Sequence, residues 1–448
     1  MSLPPPLSAN EAETEALALQ ALQRGEHDRA RALSEAILAE HPESPVALRL
    51  LGLVNMMERR YGAAIDAFTR SVEQAPDLGA LINLTTCLTK VNALERAIAS
   101  GATAVAMAPD AVPARLALAA ALHGRRRFGE ALAEVDAASR LSPGSPAVAT
   151  RRGTILAQLG DYDAAEQSFS VAATSNETPQ VRAVRFNRSF YDSLEGRTED
   201  GMQEPAQLMS LGSAAGARYV VYVGCTADYF LKYGIVFVNS YAANSASGSL
   251  LHLHIVDPGE RFTNVLSDIS RRLPRLNLVV TTERSPIDAA ADPANARAYY
   301  ACARFLRLPG FLSHYRRPML SFDVDAVVEG PLERILDHVG SCDMGLVLRE
   351  PIDSPWWDVI AFIVGVRPTA ATLAYLHRVR NYILHFYERR QMPWALDQIS
   401  LYCVLKMMER FDAAPTVAWL PREVQALTWQ IGQAYDYKLS DARFTRYA

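Results

Sequence analysis

The sequence predicts a chain of class α + α/β, an all-α repeat solenoid followed by an α/β domain with a mainly parallel sheet. Three observations predict it. Prolines recur in the first half at a spacing near 34 residues. From Tyr219 onward, β-branched apolar runs alternate with segments of helical length. One of those runs ends in the acidic triplet Asp323-Val324-Asp325.

Composition allows two or three full-sized domains. The chain has 448 residues, of which 50% are hydrophobic and 21% charged, the balance of a soluble globular protein. A formal net charge of -4 and a pI near 6.2 give no global attraction to phosphate backbones or anionic lipid, so nucleic acid is not an expected partner. The five cysteines are far apart, with no C-x-x-C pair, which argues against zinc knuckles and a disulfide framework and fits a reducing cytoplasm. The opening "MSLPPPLSANEAETEALALQ" has no basic n-region or apolar h-region, and runs such as "VIAFIVGV" are too short to cross a bilayer. The expectation is a cytoplasmic protein without a membrane span. The sequons at Asn83, Asn176 and Asn187 then carry no meaning.

In the first half, Pro42, Pro76, Pro109 and Pro143 stand 34, 33 and 34 residues apart, the period of a helix-turn-helix array. A small residue precedes each proline in an amphipathic helix: Ala30, Ala64, Ala97 and Ala131, with Ala165 continuing the series. Small side chains there let antiparallel helices approach closely. The phrases "RGEHDRA", "RRYGAA", "RRFGEA" and "LGDYDAA" punctuate the helices. Together these features resemble tetratricopeptide repeats over residues 11 to 177 as five units. Gly52 and Gly153 fall at the tight helix contact, Phe68 and Phe169 in the second helix, and Thr86 takes the small-residue place in the shortened third unit. The resemblance implies a groove for a protein or peptide partner. A capping helix around "VRAVRFNRSFYDSLEG" closes the solenoid at residue 195; residues 196 to 216 read as a linker and 217 to 448 as the second domain.

"YVVYVG", "LLHLHIVD", "LNLVVTTE", "PMLSFD", "MGLVLRE" and "VIAFIVGV" have the length and branching of buried strands, and helical segments separate them. This order implies a ligand crevice at the carboxyl ends of the strands. A D-x-D triplet alone is a weak signal, and the chain supplies its own control: Asp161-Tyr162-Asp163 lies in a repeat turn, where acids cap a helix. Asp323 and Asp325 instead have apolar neighbours on both sides. Two like charges buried together are costly unless a cation neutralises them, and Mg²⁺ or Mn²⁺ shared with substrate phosphates is the usual solution. His252 and His254 share one strand face and read as buried strand histidines.

Residues 217 to 440 resemble the GT-A glycosyltransferases, especially family 8. "VYVGCTADYFLKYGIVFVNSY" is similar to that family's first strand and nucleotide-contacting turn, which implies donor contacts for Thr226, Asp228 and Tyr229. "YYACARFLRLPGFL" resembles the arginine-bearing helix, placing Arg304 near the donor phosphates, and "MLSFDVDAVVEGPL" resembles the metal-binding strand with Asp323 and Asp325. "WALDQISL" is similar to the later helix start whose acid, here Asp397, approaches the transferred sugar as the catalytic residue. The family's C-terminal metal-binding histidine has no counterpart after His385; Gln430 or Asp436 would have to replace it, while Gly432 and Lys438 keep the family's glycine and diphosphate lysine. "PWW" at 355 to 357 offers an aromatic platform or core packing.

The resemblance implies a metal-dependent glycosyltransferase taking a nucleotide-sugar donor of the UDP-sugar type, with a retaining outcome and a protein acceptor held by the repeats. The alternative is a non-catalytic adaptor whose second domain is a degenerate relative.

Overall fold

The structure, a computed structural model, describes residues 9–175, 179–196, 206–210, 214–348, 359–421, 428–430 and 446. It divides into two compact units, Met1–Thr174 and Ser175–Ala448.

The first unit is five helix pairs: α1 (Ala9–Gln23) with α2 (His27–Glu40), α3 (Pro45–Met57) with α4 (Tyr61–Gln74), α5 (Leu78–Lys90) with α6 (Leu94–Met107), α7 (Val112–Gly124) with α8 (Phe128–Leu141), and α9 (Pro146–Gln158) with α10 (Tyr162–Ala172). Proline occupies the first turn of α3, α7 and α9, where a missing N–H costs nothing. Each turn within a pair reverses through one left-handed residue: Gly25, Arg59, Asn92, Arg126 and Gly160. Ala30, Ala64, Ala97, Ala131 and Ala165 are fully buried, as their place at helix contacts requires.

The tight contact within a pair joins residues sixteen apart. A Cβ on Gly52 would sit 2.7 Å from the Phe68 ring, and one on Gly153 would sit 2.7 Å from the Phe169 ring. In the third pair the contact residue is Thr85, not the expected Thr86, because that unit is one residue short. Thr85 faces Gly101, whose added Cβ would approach Thr85 Cγ2 to 3.2 Å. The glycine has moved to the second helix of the pair, Thr85 is smaller than Phe68 or Phe169, and Leu118 also packs on that glycine, its Cα 3.1 Å from an added Cβ.

The second unit holds an eight-stranded sheet in the order β1-β4-β3-β2-β5-β8-β7-β9. Its elements are α11 (Arg188–Ser193), β1 (Ala206–Ser210), β2 (Tyr219–Thr226), α12 (Ala227–Tyr229), α13 (Ile235–Asn244), β3 (Ser249–Val256), α14 (Glu260–Arg272), β4 (Leu278–Glu283), α15 (Pro293–Tyr315), β5 (Met319–Phe322), β6 (Ala326–Val328), α16 (Glu333–Val339), β7 (Met344–Leu348), β8 (Val359–Val366), α17 (Ala370–Glu388), α18 (Leu396–Phe411), β9 (Val417–Trp419) and β10 (Thr428–Gln430). β10 pairs with β6 in a small second sheet. Every residue of β3, β4 and β5 is buried, which is why these runs read as continuously apolar rather than alternating.

The sheet is mixed: four of its seven described pairings are parallel and three antiparallel. β4, β3, β2 and β5 are mutually parallel, whereas β8 runs antiparallel to both β5 and β7, and β1 is antiparallel to β4. Composition does not distinguish a buried antiparallel strand from a parallel one, and "VIAFIVGV" is buried on both faces.

Two expected boundaries also differ. β1 lies inside the stretch read as a linker and forms the sheet edge. The segment read as a solenoid cap belongs to the second unit: the Tyr382 hydroxyl donates to the Ala183 carbonyl, Asn381 Nδ2 donates to the Leu194 carbonyl at 2.8 Å, and Arg410 Nη1 donates to the Phe186 carbonyl at 3.0 Å. Phe190 packs edge-on against Tyr382. Its apolar face therefore buries against α17 and α18.

Candidate functional site at the switch point

The chain runs from β2 outward through β3 to β4, then returns along α15 to β5 on the other side of β2. The order of the parallel strands thus reverses between β2 and β5, the position where open α/β sheets leave a crevice beyond the strand ends. Thr226 ends β2, and Asp323 and Asp325 follow β5 directly, so both flank this point.

At the end of β2, Thr226 Oγ1 accepts a hydrogen bond from Tyr229 N at 3.2 Å and caps α12, which continues through a wide π-helical turn at Phe230–Gly234. The Tyr229 hydroxyl donates to Asp325 Oδ2 at 3.2 Å, joining the two sides of the switch point. Burial pushes the Tyr229 hydroxyl's pKa well up, and the charges of Asp325 and Asp323 push it further, so it stays a donor. Asp228 is exposed in the same turn.

Arg304 lies between the ends of β2, β5 and β8. It is 2% exposed, on α15, with Nη2 2.7 Å from Asp323 Oδ1 and 2.6 Å from the Ala361 carbonyl. Its Nη1 is buried without a hydrogen-bond partner among the described residues. A bare Gly224 allows this approach: a Cβ there would lie 2.7 Å from Arg304 Cβ. Asp325 is 4% exposed, whereas the Asp323 side chain is 32% exposed and reaches the crevice. Asp397, the second residue of α18, is 8% exposed. Burial raises its pKa above the ordinary aspartate value, opposed by the Arg304 charge and by the Gln398 backbone N–H. Asp397, Arg304 and Asp323 therefore form one electrostatic group.

Of the eight residues singled out in the sequence, seven lie around the switch point, and Lys438 falls outside the described residues. So do Gly432, Asp436, the side chain of Gln430 and the "PWW" stretch. His252 and His254 are core residues, both bonded to Thr281 Oγ1 at 2.8 and 2.9 Å. Among the described residues, no group of three or more His, Cys, Asp or Glu side chains could hold a metal. Two carboxylates at the strand end are an all-oxygen donor pair that suits Mg²⁺ or Mn²⁺ when substrate oxygens complete the shell.

The sequence reading missed a second polar cluster at the ends of β3 and β4. Asp257, in a left-handed conformation, accepts from Ser285 N at 2.8 Å and from the Tyr300 hydroxyl at 3.3 Å. Glu283 takes a 3.0 Å bond from Tyr299 and a 2.6 Å bond from Arg307 Nε. Burial opposes ionisation of Glu283, but His254 and Arg307 outweigh it and hold the pKa below the usual value. The signal was present: "HIVD" and "VVTTE" are further buried strands that end in an acid.

The family model for the tetratricopeptide repeat matches residues 15–78 and 116–180. No curated protein matches the chain. Among solved structures, the chain is similar to MamA residues 41 to the end from Desulfovibrio magneticus RS-1, at 18% identity over 38% of this chain and 99% of that one, with a TM-score of 0.35. PilF of Pseudomonas aeruginosa matches at 19% identity over 39% and 80%, with a TM-score of 0.36. YrrB, a TPR protein with an unusual peptide-binding site, matches at 20% identity over 38% and 87%, with a TM-score of 0.33.

Proposed function

We infer that the tetratricopeptide repeats of the N-terminal region serve protein–protein interaction; no described helix is long and apolar enough to cross a membrane. We propose that the second unit is a glycosyltransferase that moves a sugar from a nucleotide-diphosphate donor, of the UDP-sugar type, to an acceptor, with the repeats recruiting a protein acceptor. The observation that carries this reading is the convergence of Asp323, Asp325, Arg304 and Asp397 at the switch point of the parallel strands. The GT-A resemblance of the sequence around the same residues supports it.

In this reading Asp323 and Asp325 hold Mn²⁺ or Mg²⁺, which when bound offsets charge on the leaving diphosphate. Arg304, whose Nη1 has no hydrogen-bond partner among the described residues, supplies positive charge for that anion. Thr226, Asp228 and Tyr229 contact the nucleoside, and Tyr229 fixes the rotamer of Asp325. Lys438 adds a second positive charge. The acceptor hydroxyl oxygen bonds to the anomeric carbon as the anomeric C–O bond to diphosphate breaks; the diphosphate leaves with the electron pair and takes up the hydroxyl proton. Asp397 lies against the transferred sugar. Fusion to the repeats raises the effective concentration of an acceptor segment they bind. The reading predicts Mn²⁺-dependent hydrolysis of at least one nucleotide sugar in a screen, lost in Asp325→Asn. Hydrolysis of none, or hydrolysis undiminished in Asp325→Asn, would refute it.

A second reading is a non-catalytic adaptor. Both carboxylates of the triplet already have internal partners, Arg304 and Tyr229, so the crevice is stable without a ligand. The same screen separates the two, because an adaptor hydrolyses none of the donors.

A further inference from the structure

Trp394 is 44% exposed, three residues ahead of Asp397. An exposed indole leaves apolar area open to a ligand. It is nevertheless held in place. The Arg297 guanidinium carbon lies 4.3 Å from the ring centroid and covers one face. The loop carrying it is pinned to the first turn of α15: Met392 N donates to Asn295 Oδ1 at 2.8 Å, and Asn295 Nδ2 donates to the Arg390 carbonyl at 3.2 Å. Arg390 and Ala395, on either side of Trp394, are both left-handed, at φ 53° and 69°. A non-glycine residue in that region carries strain that the surrounding contacts must hold.

The position of the ring follows from α15. This helix connects β4 to the parallel strand β5, so it runs antiparallel to them, and its N-terminal half extends past their carboxyl ends. Arg304 meets Gly224 near the end of β2. Arg297 is two turns nearer the N-terminus, roughly 10 Å further out along the helix axis. Trp394 therefore stands on the rim of the crevice, outward of Arg304 and adjoining the start of α18 that brings Asp397 inward.

We infer that Trp394, backed by Arg297, is a stacking platform for the pyranose ring of a glycan carried by the protein acceptor. The proposal rests on the transferase reading, which puts the donor sugar against Asp397 and so makes the rim the acceptor side. Axial C–H groups of a pyranose suit an indole face. The guanidinium on the opposite face orients that ring without covering it. A nucleobase would instead belong deeper, beside Thr226 at the end of β2.

The test titrates the full chain with methyl glucopyranosides, galactopyranosides and mannopyranosides, read by ligand-observed saturation-transfer NMR. At least one sugar is expected to bind, with saturation concentrated on one ring face. Trp394→Ala should weaken binding about tenfold and Trp394→Phe by less than about threefold. Trp394→Phe keeps a ring against Arg297, so its circular dichroism and melting midpoint should match the parent, and binding by Trp394→Ala is compared at a temperature where it is fully folded. No binding by any sugar of the panel, or equal binding by Trp394→Ala, overturns the platform. A parallel titration with UDP and Mn²⁺ keeps the two claims apart. Nucleotide binding without a Trp394 effect removes the platform and leaves the transferase. Sugar binding at Trp394 without nucleotide binding leaves a carbohydrate site and removes the transferase.

Discussion

Replacing Arg304 by Met removes a buried cation that acts on both Asp323 and Asp397 while keeping most of the side-chain volume. Breaking a buried ion pair from one side costs about 3–5 kcal/mol when the remaining charge stays buried. The Asp323 side chain is 32% exposed and can rehydrate, which lowers that contribution to about half. The Ala361 carbonyl loses its 2.6 Å donor, for about 1 kcal/mol more. The expected loss at pH 7 is therefore about 2–4 kcal/mol. It should also depend on pH with a definite sign. Burial already raises the folded pKa of Asp397, and Arg304 opposes that rise, so its removal moves the value further up. A carboxyl raised in the folded state favours folding at low pH, and the advantage disappears as pH rises from the unfolded value, about 3.9, through the folded one. The deficit of Arg304→Met should thus be smaller at pH 5 than at pH 7. Urea unfolding of parent and variant at both values measures it. A loss under about 1 kcal/mol at pH 7, or a deficit that grows toward pH 5, would refute the shared role of Arg304.

Other outcomes follow from the same structure. Gly153→Ala should destabilise the solenoid by about 1–3 kcal/mol, because its Cβ meets the Phe169 ring at 2.7 Å; adding Phe169→Leu should recover part of that loss, and strict additivity in urea unfolding would argue against the contact. His252, surrounded by His254, His314, Tyr315 and Thr281, is held neutral chiefly by burial. The unfolded chain protonates it near pH 6.5, so stability should fall below that pH with a slope of up to about 1.4 kcal/mol per unit, and His252→Gln should flatten the slope. A chain starting at residue 217 lacks β1 and the segment bound by Tyr382, Asn381 and Arg410; it should melt below one starting at residue 175, and equal midpoints would make that segment dispensable.

The elements that were legible in the sequence are those that a single local requirement specifies. The buried alanine series fixes five helix pairs, and the apolar runs from "YVVYVG" to "VIAFIVGV" all became strands. What failed depends on partners distant in sequence. Phe190 and Tyr191 signal that "RSFYDS" buries one face, but nothing local says that α17 and α18 supply the cover rather than α10. β1 has too short a run to stand out, and only the edge of β4 makes it a strand. A constant period points to Thr86, whereas the contact falls at Thr85 because that unit is one residue short.

The site divides in the same way. Asp323 and Asp325 stood out because an apolar run ending in two acids is a local contradiction, and Asp397 because of its resemblance. Gly224, Tyr300 and Trp394 carry no such contradiction. Their roles arise where α15 crosses the strand ends, a juxtaposition of segments up to about 170 residues apart.

The most direct measurement is nucleotide binding at the switch point. The parent chain, Asp325→Asn and Asp323→Asn are melted with UDP alone, Mn²⁺ alone and both together. A ligand present at about a hundredfold over its dissociation constant adds about 2.7 kcal/mol to the native state and must raise the midpoint. The account predicts a rise for the parent only when UDP and Mn²⁺ are both present, and none for either variant. No rise in the parent with UDP or with any other nucleoside diphosphate, or an equal rise in all three proteins, would contradict it.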